Sequence, residues 1–145
     1  MLQATGRVVR DRDGLELLVQ RRLPVPSATA WEWLTSPRRL KRWAEHVTVL
    51  DSQPQSRLTA SWGPDAAAVT VSLAELDGST MLYASHRVPS ARQAGVSGPA
   101  LEFALDRLVA AQSGGAMPSK ESYLPQQPYY ERLAMDGDPD AWPAS

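Results

Sequence analysis

The chain carries two histidines and no cysteine in 145 residues. Proton transfer near neutral pH therefore falls to an imidazole or to a carboxylate with a shifted pKa. His86 closes an alternating run, Thr80–Val88, in which Leu82, Ala84, His86 and Val88 share one face and Met81, Tyr83, Ser85 and Arg87 the other. A histidine at a strand end is either a polar group at a pocket or an imidazole satisfied by backbone. His46 follows Trp43 in a loop and reads as solvated. Tyr83 and His86 are the convenient acid–base candidates, but alternation sets them on opposite faces of one strand, which argues against a paired mechanism unless a bulge intervenes. Asp136, Asp138 and Asp140 alternate as calcium ligands do. The glycine and distal glutamate that complete such a loop are absent, so they read as an acidic tail. Two widely spaced histidines without a thiolate do not make a zinc or iron site. There is no GxSxG, no phosphate loop and no dinucleotide fingerprint. No catalytic residue is assigned, and neither metal nor cofactor is expected.

The remaining candidates are walls rather than reactive groups. Trp43 and Trp62 are aromatic side chains of the kind that line small-molecule cavities, while Trp31 reads as core. Leu101, Leu105 and Leu108 repeat at helical spacing and would form one wall of a pocket, or simply a filled core. Arg38, Arg39, Lys41 and Arg42 make a local basic run, which is either a solvated face or an attraction for an acidic partner or a ligand carboxylate. Trp33 is out of phase with the stripe Ala30, Trp31, Leu34 and is either partly exposed or packed on another element or a partner subunit.

These residues need elements to position them. Leu23–Trp43 contains two short helices, opened by Pro26-Ser27 and by Ser36-Pro37, where serine caps and proline suits a first turn. Helices this short must lie against something larger. Gly6–Arg10 and Leu15–Leu23 flank Asp11-Arg12-Asp13-Gly14 as a hairpin, with Leu18 and Arg21 breaking the alternation of the second run. Val47–Leu50, Leu58–Trp62 and Val69–Ala74 read as strands, and Asp77-Gly78 turns the chain into Thr80–Val88. Pro89–Ser97 reads as a loop, and Gly98-Pro99 as the start of the longest helix, ending near Gln112 at Ser113-Gly114-Gly115. Glu102, Asp106 and Arg107 face away from most of its apolar stripe. Residues 113–134 form an extended segment ending in one helical turn, whose Tyr123, Leu124, Tyr129, Tyr130 and Leu133 pack along the domain. Residues 135–145 read as a disordered tail. The expected architecture is α+β: a curved antiparallel sheet around a long C-terminal helix, with two short helices after the first strands. Residues 1–134 form the single domain.

The pattern Pro26-x4-Trp31-x2-Leu34-Thr35-x-Pro37-x2-Leu40-x2-Trp43 resembles the opening signature of the SRPBCC superfamily, the START-like helix-grip proteins. Its nearest branch is similar to the heat-shock-protein ATPase activator homologues. Gly78–His86 resembles that family's last strand, Gly98–Leu108 its C-terminal helix, and Tyr129-Tyr130-Glu131 the tail of small bacterial members. Together these matches span residues 6–134. The chain departs from the family in Glu45–Ala68, which is shorter or more irregular than the usual run of strands, and in Ala100-Leu101, where many relatives have Gly-Trp. The resemblance implies the helix-grip fold and a cavity between sheet and helix, but lipid carriers, hormone receptors, polyketide cyclases and co-chaperone domains all share that fold.

A net charge of −1 with 43% hydrophobic residues gives no general attraction to nucleic acid or to an anionic membrane. No apolar leader or membrane-length run is seen, so a cytoplasmic protein is expected. The leading functional reading is non-catalytic binding of a hydrophobic or aromatic small molecule, with Trp43, Trp62, Tyr83, His86, Leu101, Leu105 and Leu108 as the ligand-binding residues. The alternatives are a protein-interaction module of co-chaperone type and a cyclase- or dehydratase-like enzyme. The partners expected are a small molecule, a protein or a second copy of the chain.

Overall fold

A computed structural model describes residues 4–12, 14–44, 47–54, 56–62 and 67–136. Six strands, β1 (Arg7–Asp11), β2 (Gly14–Leu23), β3 (Val47–Gln53), β4 (Arg57–Trp62), β5 (Ala67–Leu76) and β6 (Ser79–Val88), make one sheet. Its order is β1-β2-β6-β5-β4-β3, antiparallel throughout. Helices α1 (Ser27–Thr35) and α2 (Pro37–Leu40) join β2 to β3, and α3 (Ala91–Ser113) follows β6. A 3₁₀ segment, Lys120–Gln126, then leads into α4 (Gln127–Asp136). This is the α+β helix-grip architecture, a curved sheet with a long helix laid on its inner face.

Alternation sets that face. Leu15, Leu17, Val19 and Leu23 of β2 are buried with Leu82, Ala84 and Val88 of β6, Val69 and Val71 of β5, and Leu58 and Ala60 of β4. Leu101, Ala104, Leu105 and Leu108 of α3 close the main core over them together with Trp33, Leu34 and Trp43. Each fully buried leucine contributes about 2 kcal/mol by leaving water. A second core gathers Val8, Leu15, Leu17, Val88, Ala94, Tyr130 and Ala134 where α4 meets β1 and the start of α3.

Several expectations are corrected. α3 begins at Ala91, not Gly98, because Ser90 caps it: its hydroxyl accepts the Gln93 N–H at 3.1 Å. Pro99 therefore sits inside the helix, where it forgoes the bond to the Gly95 carbonyl. In α1 the buried stripe is Ala30, Trp33, Leu34, and Trp31 is the half-buried one. That is i, i+3, i+4 spacing, the true neighbour relation on a helix. Ser27 does not cap α1. Its own N–H donates to the Glu75 carboxylate at 3.0 Å, and its hydroxyl meets Thr80 Oγ1 at 3.2 Å. β3 runs on to Gln53 past a bulge at Leu50, between Val49 and Asp51. The C-terminal segment is helical over Lys120–Asp136 rather than extended, and Leu124 faces solvent. Gly114 ends α3 in the left-handed conformation, φ 71°, as its position after the last apolar residue implies. The readings placed on Asp13, His46 and the tail from Gly137, including Asp138 and Asp140, fall outside the described residues.

Candidate functional site

The helix stripe Leu101, Leu105, Leu108 repeats at four- and three-residue steps, and Gln112 continues it by four more. Leu105 and Leu108 have no accessible surface, and Leu101 retains 5%. Gln112 differs: its side-chain oxygen and nitrogen are both buried and have no hydrogen-bond partner among the described residues. An amide removed from water without partners costs about 1–3 kcal/mol. Gln126 on the 3₁₀ segment, 3% exposed, has an amide buried and unpartnered among the described residues in the same way.

The short helices contribute Ala30, Trp33 and Leu34 of α1, and Trp43 just after α2, to the same core. The Trp43 indole N–H donates to the Trp33 carbonyl at 2.9 Å, satisfying one of the free carbonyls in the last turn of α1. Trp43 is 1% exposed, so it is a bolt between the two short helices as well as a wall. Leu40, Ala44, Val25 and Val47 pack around the same core from its rim.

His86 lies on the inner face, opposite Leu17 of β2 and Val69 of β5 in the sheet register. Its Nδ1 is 2.9 Å from the Ala68 carbonyl. A carbonyl only accepts, so Nδ1 carries the proton, and in the neutral ring Nε2 is left as an acceptor. Leu17 belongs to the second core and Val69 to the first, so this half-buried imidazole marks the seam between them. Tyr83 is not brought to the others. It pairs with Gln20 and Ser72 on the outer face and is 37% exposed. Trp62 pairs through its backbone with Val47 and Ala67 at the end of β4, and its side chain is outside the described residues. The structure thus gathers Trp43, Leu101, Leu105 and Leu108 in one cluster, places His86 at its border and separates Tyr83. A polar recess of about 170 Å³ on the β3–β4 hairpin, lined by Asp51, Ser52, Gln53, Arg57, Leu58 and Thr59, includes none of these residues.

The group that sequence reasoning missed is ionic. Arg21 stands on the inner face between Val19 and Leu23, in register with Leu82. Its Nη2 contacts Glu102 Oε1 at 2.9 Å, and its Nε contacts Asp106 Oδ1 at 2.6 Å. Glu102 is 1% exposed. It also accepts from the Thr5 N–H at 3.2 Å, from the Thr5 hydroxyl at 2.9 Å and from the Tyr130 hydroxyl. The Tyr130 oxygen in turn accepts the Gly6 N–H at 3.0 Å, and the Tyr123 hydroxyl donates to Asp106 Oδ2 at 2.6 Å. Burial pushes the Tyr130 and Tyr123 hydroxyls well above the usual phenol range, helped by Glu102 and Asp106 respectively. Burial alone would lower the Arg21 pKa, but the bonds and charges of Asp106 and Glu102 outweigh it and raise it. Glu102 and Asp106 between them tie residues 5–6, β2, α3 and the C-terminal helices together. The only sequence signal of this group is Arg21 interrupting the apolar face of β2.

No family model matches the chain, and no curated protein matches it in sequence. Solved structures do match in fold. CalU16 from Micromonospora echinospora superposes with a TM-score of 0.67 at 22% identity, over 92% of this chain and 96% of that one. A conserved protein of unknown function from Enterococcus faecalis, EF2215, gives 0.73 at 16% identity, over 92% of each chain. DynU16, described as a putative protein in the dynemicin biosynthetic locus, gives 0.57 at 21% identity, over 72% of this chain and 50% of that one. These are helix-grip folds of the SRPBCC kind, and at such identities the likeness is one of fold.

Proposed function

We propose that this protein binds an apolar or aromatic small molecule, without covalent chemistry, between the C-terminal end of α3 and the inner face of the sheet under the α1–α2 lid. The observation that carries this reading is the buried, unpartnered amide of Gln112 at the end of a leucine stripe. A ligand with an apolar body and one polar edge would replace the lost hydrogen bonds of that amide while lying against Leu105 and Leu108. His86, with Nε2 as acceptor, is a second polar handle further along the groove. The occurrence of the same fold in a protein of a natural-product biosynthetic locus is consistent with a small-molecule setting. Leu105 and Leu108 have no surface open to solvent, so a ligand reaches them only as the lid shifts. α2 is one turn long and Trp43 supplies its hydrogen bond to α1, which makes the lid the movable part.

Native mass spectrometry of the purified protein, followed by extraction, identifies any resident molecule, and 2-naphthol serves as an apolar probe with one hydroxyl. The Gln112→Leu variant separates function from fold. It removes an unsatisfied buried amide, so stability should rise by about 1 kcal/mol, while naphthol affinity falls about tenfold, or 1.4 kcal/mol. A variant that loses stability and keeps its affinity would show that Gln112 is satisfied in solution and faces no ligand.

A further inference from the structure

The outer surface of the same lid carries an arrangement that ligand binding does not use. Trp33 is 5% exposed, on the core-facing stripe of α1. Two guanidinium groups cover it: the Arg39 Cζ lies 4.9 Å from the ring centroid and the Arg42 Cζ 5.5 Å. Bringing two like charges to one indole is unfavourable in itself, and the ring face offsets only part of that repulsion. The arrangement is held from beneath, because Trp43, adjacent to Arg42, is bolted to the Trp33 carbonyl. Arg39 Nη2 pairs loosely with Glu32 at 3.7 Å, with both side chains exposed. Arg38 and Lys41 are exposed beside them and have no partner among the described residues.

We propose that this surface docks a carboxylate-rich segment of a partner protein, with the Arg39 and Arg42 guanidinium groups as its clamp. Residues 38–42 contain four cations in a chain whose net charge is −1, so the rest of the protein is net negative. A long polyanion such as a nucleic-acid backbone would run off the patch onto repulsive surface. A short acidic segment matches its extent. Guanidinium groups bind carboxylates through paired N–H donors, which an ammonium cannot reproduce. Holding both forks against one ring removes part of the side-chain entropy that an exposed arginine loses on binding.

The test uses a fluorescein-labelled octa-glutamate peptide, read by anisotropy at about 25 mM and about 150 mM salt, beside a labelled dodecathymidylate of similar length. The wild type should bind the peptide more tightly than the oligonucleotide, and binding should weaken at higher salt. Arg39→Gln/Arg42→Gln should weaken peptide binding at least tenfold, whereas Arg38→Gln/Lys41→Gln should cost threefold or less. Because removing both guanidinium groups uncovers Trp33, Arg39→Lys/Arg42→Lys is measured as well. It keeps the charge and should still lose at least threefold, since the paired donors are gone. No peptide binding at low salt, tighter binding of the oligonucleotide, equal losses in the two glutamine pairs, or a lysine pair that binds like wild type would each overturn the proposal.

Discussion

Replacing Arg21 with methionine removes one charge from the junction and leaves Glu102 in place, 1% exposed. Glu102 then keeps the Thr5 and Tyr130 donors but has no cation at hydrogen-bond distance. Breaking a buried ion pair from one side costs about 3–5 kcal/mol, mostly the burden of the charge left behind. For a chain of this size that is on the order of 10–20 °C in the thermal midpoint. Glu102→Gln is milder. The amide oxygen can still accept from Thr5 and Arg21, its NH2 then faces the Tyr130 hydroxyl, which must turn to accept, and Arg21 still holds Asp106 at 2.6 Å, where part of the charge meets solvent; a loss of about 1–3 kcal/mol is expected. In the double variant the stranded charge is gone, so the losses should fall short of additive by about 1–3 kcal/mol. The assay is urea unfolding of the four proteins by far-ultraviolet circular dichroism, with the denaturant slope checked for constancy. Additivity to within about 0.5 kcal/mol would refute the view that Arg21 and Glu102 act as one unit.

Two further consequences concern the tyrosines and the glycines beneath them. Tyr123 and Tyr130 hold their protons more tightly in the folded state than the ordinary value of 10.0, so stability is undiminished below about pH 10 and falls as the pH rises beyond it. Tyrosinate absorbance for these two groups should appear together with unfolding, and Tyr130→Phe should flatten the alkaline loss. A Cβ on Gly98 would lie 2.4 Å from the Tyr130 ring, so Gly98→Ala should cost about 2–4 kcal/mol and displace α4. Gly114, at φ +71° with open space around it, should lose only about 1 kcal/mol on the same change. Equal losses at the two glycines, measured by thermal unfolding, would mean that Tyr130 does not seat against α3.

The strands, the two short helices and the long helix were readable because alternation and apolar spacing are local properties of the chain, whereas the helical C-terminal segment was not. The β5–β6 hairpin around Asp77-Gly78 and the leucine stripe of α3 are both set by neighbours within a few residues. What was not readable depends on distant partners. Trp31 and Trp33 are two residues apart, and either satisfies an apolar stripe; the packing of α1 on the main core decides that Trp33 is the buried one. Pro99 has the local signature of a helix start, and α3 runs through it because Ser90 caps the chain nine residues earlier and Tyr130 packs against Gly98 from a segment some thirty residues on. Glu102 looks like a solvent-facing residue until Thr5 and Tyr130 close over it. The burial of Leu101, Leu105, Leu108 and Trp43 in one cluster followed from periodicity. Gln112 extends the same periodicity but is polar, and its lack of a partner is a property of three-dimensional packing alone.

The distribution of fastenings along α3 decides which end of the grip can open. From Gly95 to Asp106 the helix is held by α4, by the tyrosines of the C-terminal segment and by two carboxylates on Arg21. Beyond Asp106, Leu108 shares an apolar cluster with Trp33 and Leu34 of α1 and with Trp43, around helices of nine and four residues. Ion pairs and buried hydrogen bonds are directional, and shifting them strands charge; apolar contacts can slide and re-form. An acidic segment engaging Arg39 and Arg42 would pull on the turn that carries Trp43, and through the Trp43–Trp33 hydrogen bond on α1. Occupancy of the two sites should be coupled, each changing the other's affinity by the same factor.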